Sequence, residues 1–344
     1  MPAVPIPSAP PRSDRDIIKA SRPFEQEQRW RSWVHLLTTL VAIGVLVVAV
    51  TAAPWWPVAL LAGIVLGLVQ MRLFVIYHDM AHGAIFRRDP IARGLLAAVG
   101  FCQLAPPAVW RETHDFHHQH NAQLPSLAIG SYPLLTTGML ARTSDRQWRR
   151  YRTMRHPLTM ACGMLTVFIG GMIVAAAVRD PRRHWLGLLG VLVYAGAVVA
   201  VWLTAGWAIA VGTLLVPYAV AMALGSYLFY AQHNCPGMQV RRREDWSHVD
   251  AARFATSHFE MGPLMRWFTA NIGLHQVHHL NHRIPFYRLG EALRAIPELH
   301  DAVRTSWRLR DIRACLRLAV WDPVAGRMLD YAEAEAVRRR ALAA

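Results

Sequence analysis

Long apolar blocks alternate with short, arginine-rich connections along this chain. A helix needs about 20 apolar residues to cross roughly 30 Å of hydrocarbon. Residues 34–53, 58–77, 185–203 and 208–230 meet that length. Two further apolar stretches, 94–109 and 158–178, are ambiguous, and the first carries Pro106 and Pro107 near its end. The connections Ala53-Pro54-Trp55-Trp56 and Thr204-Ala205-Gly206-Trp207 carry no charge. The others hold Arg142, Arg146, Arg149, Arg150, Arg152 and Arg155, then Arg179, Arg182 and Arg183, then Arg241, Arg242 and Arg243. The positive-inside rule places these groups in the cytoplasm. Two helical hairpins therefore enter from that side, each turning in an uncharged, tryptophan-bearing loop. The ambiguous stretches have cytoplasmic charge on both flanks, so each is expected to be re-entrant, interfacial or half-buried. Were 158–178 to span, Arg179 to Arg183 would lie outside and everything after would invert.

Composition and charge agree with a membrane protein. Of 344 residues, 54% are hydrophobic and 17% charged, against about 45–50% and 25% in soluble domains. This excludes a disordered chain, a collagen-like repeat and a nucleic-acid-binding tail protein. The formal charge is +15, from 37 basic and 22 acidic residues. It reads as topology plus attraction to anionic lipid head groups. The four cysteines, Cys102, Cys162, Cys235 and Cys315, form no CxxC pair, which argues against a disulfide framework or a thiolate metal site. Residues 1–32 are polar and Pro/Arg-rich without an apolar core, and read as a partly disordered cytoplasmic tail rather than a cleavable signal. The expected fold is an all-α integral membrane protein. Its four transmembrane helices form two hairpins, joined by re-entrant or interfacial helices and a cytoplasmic helical cap. The expected division is a tail at 1–32, a membrane-bound domain at 33–290 and cytoplasmic helices at 291–344. In the last, Leu293, Ile296, Leu299 and Val303 recur at helical spacing.

Seventeen histidines occur, and eight fall in three tight clusters: His78/His82, His114/His117/His118 and His275/His278/His279. On a helix, positions i, i+3 and i+4 share one face, so each cluster presents imidazoles side by side. Neutral imidazole is the commonest protein metal ligand and suits iron, zinc and copper. Eight nitrogens exceed the four that one tetrahedral zinc takes; they fit two metals of five or six coordination with open positions. All three clusters fall on one membrane face in the topology above. His233, three residues beyond Tyr230, lies at the same depth and is a candidate ninth ligand. Asp79 and Asp115 each directly follow a candidate ligand and can fix an imidazole tautomer, or else act as caps. His35, His120, His156, His184, His248, His258, His282 and His300 read as solvated or as neighbours of the ligands. A zinc hydrolase would need an HExxH pattern or a carboxylate ligand and a general base, and no cluster contains glutamate.

These residues resemble the membrane-bound fatty acid desaturase family. The family pattern HxxxH, HxxHH and HxxHH matches His78/His82, His114/His117/His118 and His275/His278/His279. Leu228-Phe229-Tyr230-Ala231-Gln232-His233 is similar to the family's segment before its last loop. Trp267-Phe268-Thr269-Ala270-Asn271-Ile272-Gly273, Leu280-Asn281-His282-Arg283-Ile284-Pro285 and Trp321-Asp322 resemble the acyl-lipid delta-12 (omega-6) branch. Asn271 in that run is a candidate support for the ligands. Asn234-Cys235-Pro236 and Ser257-His258-Phe259 depart from the pattern at positions that bear on regiospecificity. No haem-binding HPGG signature is present; His156-Pro157-Leu158 is not one.

The resemblance implies two non-haem iron ions, with O2 as co-substrate, that remove two hydrogens from a long acyl chain. The substrate would be an acyl lipid or acyl thioester. Electrons would come from a separate ferredoxin- or cytochrome b5-like donor, with Arg304, Arg308, Arg310 and Arg313 as candidate docking residues. The implied location is a bacterial inner membrane with both termini and the metal site cytoplasmic, in contact with lipid and not with nucleic acid. Hydroxylases, ketolases and acetylenases share the same histidines; the delta-12-like run favours desaturation. A non-enzymatic metal carrier would place histidines or carboxylates within the spans, which contain no acidic residue.

Overall fold

The computed structural model describes residues 12–124 and 132–343. Four helices are long and apolar enough to cross a membrane. Arg29–Thr51 pairs with Trp56–Ala81, and Pro181–Ala205 pairs with a helix over Trp207–Gln232. Each hairpin turns at the uncharged loop expected for it. The helices also extend past the apolar blocks at their charged ends. The first starts at Arg29, because Arg29 and the Trp33 indole both donate to Asp89 in the loop after the second helix, at 2.7 and 3.0 Å. The second continues through His78, so span and first histidine cluster are one rigid element.

The second helix is the centre of the bundle, with 56% of its apolar window buried against 17–22% for the other three. Its partner is the fourth helix, and small residues set their separation. A Cβ at Gly63 would lie 2.6 Å from the Gly212 carbonyl oxygen, and one at Gly67 would lie 2.7 Å from the Pro217 carbonyl oxygen. Both obstacles are backbone and cannot yield. Gly67→Val is therefore expected to destabilise the detergent-solubilised protein by about 1–3 kcal/mol. The measurement is a melting curve followed by fluorescence-detected size exclusion; an unchanged transition would refute the close packing.

Neither ambiguous stretch crosses as a straight helix. Pro90–Cys102 and Pro107–His120 meet at a bend of 90°, where Pro106 and Pro107 withhold backbone donors. The 158–178 region becomes Pro157–Ala161, a π-helical Met164–Val174 and Ala175–Arg179. The continuous part, Met164–Arg179, would rise about 24 Å even at the full α-helical rise of about 1.5 Å per residue, short of the hydrocarbon thickness.

Two expectations need correction. The C-terminal region is not all helical: Val303–Ser306 pairs in parallel with Ser257–Glu260, and Leu318–Asp322 forms a hairpin with Arg327–Asp330. The apolar spacing through Leu293, Ile296, Leu299 and Val303 does not mark one helix. Helix Leu289–Ala295 stops before Pro297, which opens a 3-10 turn, and Val303 begins a strand. The disorder expected of the N-terminal tail falls in part on residues 1–11, outside the described residues. From residue 12 onward the segment is ordered. Helix Asp14–Ser21 is capped by Ser13, and Asn281 donates to Ser21 Oγ and Glu25 at 2.8 and 2.9 Å.

A charge buried within a span was not anticipated. Arg72, 2% exposed, lies in the second helix. Its Nε donates to Thr39 Oγ1 at 3.0 Å, its NH1 donates to the Trp267 carbonyl, and its guanidinium stacks 4.5 Å from the Trp267 ring. Such a group persists in a membrane only when its donors are satisfied. Here it ties the first two helices to the turn that leads into the third histidine cluster.

Candidate metal centre

The three clusters converge because each sits at the histidine-bearing end of the bundle. The second helix carries His78 and ends at His82. Pro107–His120, turned by the proline bend, presents His114, His117 and His118 from one face. The short helix His275–Leu280 brings His275, His278 and His279 across the opening. His233 terminates the fourth helix. All nine candidate ligands meet, in two groups: His78, His82, His114, His118 and His278; and His117, His233, His275 and His279. Within each group the ligand nitrogens lie within 4.8 Å of one another.

The nitrogen pattern fits cations better than hydrogen bonds. In the first group the Nε2 atoms form a run: His82 to His78 at 3.2 Å, His78 to His114 at 2.8 Å, His114 to His118 at 3.1 Å and His118 to His278 at 3.1 Å. In the second, His233 Nε2 lies 3.0 Å from His117 Nε2 and 2.9 Å from His275 Nε2. A neutral imidazole nitrogen is either one donor or one acceptor. A nitrogen facing two others cannot satisfy both with one proton, whereas lone pairs converging on a cation satisfy all. Nitrogens about 2.1 Å from one ion, at right angles, stand about 3 Å apart, which matches these separations. The donors are also kept neutral. Burial pushes His275, His278 and His279 well below the ordinary histidine range and His233 down to about 3, which leaves the lone pairs free for a metal. An all-imidazole set in a buried site suits iron, zinc or copper.

The surrounding residues divide the sequence-based candidates. Asp79 touches a ligand: its Oδ1 lies 3.3 Å from His78 Nδ1, and its Oδ2 accepts the Phe286 amide at 2.7 Å. Asp115 is 3.8 Å from His82 Nδ1, with its side chain about half exposed. Asn271 contacts no imidazole. It donates to the Phe286 carbonyl at 3.2 Å and accepts from Arg266, so it reaches His78 only through Phe286 and Asp79. Of the histidines set aside, His282 comes nearest, its ring 4.7 Å from that of His82.

Several residues at the site were not among the candidates read from the sequence. Trp110 stacks on His114 with ring centroids 4.5 Å apart. Phe229 packs 5.3 Å from the His117 ring and 5.7 Å from the His233 ring. Its position four residues before His233 on one helix face was the available clue. Arg155, 2% exposed, donates to Tyr230, Asn234, the Pro133 carbonyl and the Leu318 carbonyl, with no carboxylate among these partners. It also lines a small cavity of about 30 Å³ together with Asn121, Phe229 and His233.

Comparison with known proteins identifies the scaffold. The family model described as fatty acid desaturase matches residues 53–310. A fatty acid desaturase of Bacillus subtilis is 29% identical over 260 residues, covering 73% of this chain and 71% of the relative. An sn-1 oleoyl-lipid 12-desaturase of Anabaena variabilis is 26% identical, covering 86% of each chain. A chloroplastic omega-6 fatty acid desaturase of Spinacia oleracea is 23% identical, covering 86% of this chain and 67% of its own. With four membrane-spanning helices, buried histidine clusters and a match over most of its length, this chain is an oxidoreductase of lipid metabolism and belongs to the fatty acid desaturase family.

Proposed function

We propose that the protein inserts a cis double bond into a long acyl chain, with delta-12-like regiochemistry on an acyl lipid. It would use two iron ions held by the nine histidines. The observation that carries this reading is the convergence of nine buried imidazoles in two groups. The regiochemistry is supported by the acyl-lipid 12-desaturase and omega-6 relatives. An unactivated methylene offers no acidic proton and no leaving group, so acid–base side chains alone cannot oxidise it. When bound, the metals supply the O2-dependent oxidising power, and the protein supplies position. His78, His82, His114, His118 and His278 would hold one ion, and His117, His233, His275 and His279 the other. Asp79 keeps the His78 ring in place. Trp110 and Phe229 shield the imidazoles from the bundle side. The apolar spans bring the substrate to the site, and each buried CH2 contributes about 0.8 kcal/mol to holding its register.

The chain's architecture follows this division of labour. Residues 33–290 form the membrane-bound unit, flanked by a tail at 1–32 and a cap at 291–344. The charge pattern supports cytoplasmic termini and a cytoplasmic site in a bacterial inner membrane. Electrons come from a separate carrier; ferredoxin is named for one related omega-3 desaturase.

The test is expression in a host lacking polyunsaturated fatty acids, together with a ferredoxin donor, followed by methyl ester profiling. A new diene, absent in the His279→Ala control, is expected and gives the bond position. A hydroxylated or keto product would move the enzyme to a sister activity on the same site.

A further inference from the structure

Helix Asp145–Met154 packs beside the C-terminal helix Tyr331–Ala343 at the histidine-bearing end of the molecule. Its inward face carries Trp148 and Tyr151, both buried. Its outward face carries Arg146, Arg149 and Arg150, all exposed, with exposed Arg142 just before it; exposed Arg152 lies at the seam between the two helices, its guanidinium 5.9 Å from the Tyr331 ring. The helix's one carboxylate, Asp145, is taken by Arg338. Glu335 beside it accepts the Trp148 indole N–H at 2.9 Å. Among the described residues no carboxylate forms an ion pair with these five arginines. Of the C-terminal arginines singled out in the sequence, Arg304 is paired with Glu260 at 3.1 Å and Arg310 with Asp311 at 3.3 Å, while Arg308 and Arg313 are exposed and form no ion pair among the described residues.

This basic face is joined to the metal centre by a run of packed aromatic side chains and one buried guanidinium. Trp148 and Tyr151 stack with centroids 5.6 Å apart. The buried Arg155 guanidinium lies 5.3 Å from the Tyr151 ring and 4.9 Å from the Tyr230 ring. Phe229, the chain neighbour of Tyr230, packs against His117 and His233. Tyr132 bridges the same two rings, 5.1 Å from Tyr230 and 6.4 Å from Phe229.

We propose that the exposed face of helix Asp145–Met154 is the docking surface for an acidic one-electron carrier protein. Trp148, Tyr151, Arg155, Tyr230 and Phe229 then couple that surface to the histidine centre. The inference rests on the desaturase reading, which fixes the electron balance. Removing two hydrogens from adjacent methylenes yields two electrons and two protons. Reducing O2 to two waters takes four of each. The carrier therefore delivers two electrons, one at a time, and solvent delivers two protons. The rings and the guanidinium act as packed medium for transfer and are not themselves reduced. Unpaired arginines steer a partner of opposite charge, and such steering weakens as salt rises. A membrane surface would satisfy the charges equally, but it gives no role to the packed route beneath them.

The test uses the full-length enzyme in detergent and an acidic [2Fe–2S] ferredoxin. Binding of oxidised ferredoxin is measured first, without turnover. R146E/R149E/R150E is expected to weaken it about tenfold or more and to flatten its salt dependence. The KM for reduced ferredoxin should rise in step, with dithionite-supported turnover unchanged, while R308E/R313E leaves binding as it was. If the reversed protein does not accumulate, R146Q/R149Q/R150Q carries the same test. Unchanged ferredoxin binding would overturn the docking surface. So would a loss confined to binding of phosphatidylglycerol vesicles, which would assign the face to lipid. For the route, Trp148→Leu should lower kcat with saturating ferredoxin at unchanged KM, and Trp148→Phe should restore most of it. An equal loss with dithionite would make Trp148 a packing residue and overturn the route. A protein that binds ferredoxin through this face yet forms no unsaturated product with any reductant would refute the desaturase reading and leave the docking surface standing.

Discussion

His279→Ala and His118→Ala are each expected to reduce fatty acid desaturation below detection while membrane insertion stays normal. The two rings stack with centroids 4.2 Å apart, yet they serve different groups of ligands. His118 belongs to the set of five and His279 to the set of four. Each substitution therefore opens one group, and the shared wall means that the other group loosens too. Open positions in a metal site are occupied by solvent, which changes both affinity and access. Iron per chain, measured on purified protein, should fall from about two to about one or fewer, with the loss graded by which group is struck. An active His279→Ala enzyme with full iron content would sink the assignment of the nine histidines.

Much of this site is local in sequence, which is why it could be read there. A span is a matter of length and apolarity, and a histidine cluster is a matter of helical spacing. Both signals lie within 25 residues or fewer. His233 was reachable by depth alone, because it ends a span on the same side as the clusters. The residues that escaped reading depend on contacts between distant segments. Arg155 looks like one more arginine in a basic connection until residues 133, 230, 234 and 318 close around it. Arg72 sits in an apolar run where only the tertiary fold supplies Thr39 and Trp267 as partners. The C-terminal strands are hidden for the same reason. Val303 pairs with Ser257, 46 positions away, and Leu135 pairs with Val320. No local pattern encodes either match, and the apolar spacing around Pro297 misleads.

Asp79→Asn is expected to lower activity by about 10–100-fold without unfolding the protein. Carboxylates behind ligating histidines commonly have effects of that size. Asp79 is 1% exposed. It binds at once the Nδ1 side of His78 and the amide of Phe286, so it joins the first cluster to the chain that follows the third. Asparagine keeps the size and can still accept the amide through its carbonyl oxygen. It removes the charge that favours a proton on His78 Nδ1, and with it the preference for an Nε2 lone pair facing the other imidazoles. The consequence separates position from fold. The melting transition should stay near that of the parent, whereas iron affinity and turnover fall together. Asp79→Ala goes further, because it leaves the buried Phe286 amide without its partner at a cost of about 1–3 kcal/mol. Asn271→Ala acts on the same residue from the carbonyl side and should cost less, since it reaches His78 only through Phe286 and Asp79. If Asp79→Asn retained full iron content and full turnover, the carboxylate would be a structural tie between segments, and His78 would take its orientation from packing alone.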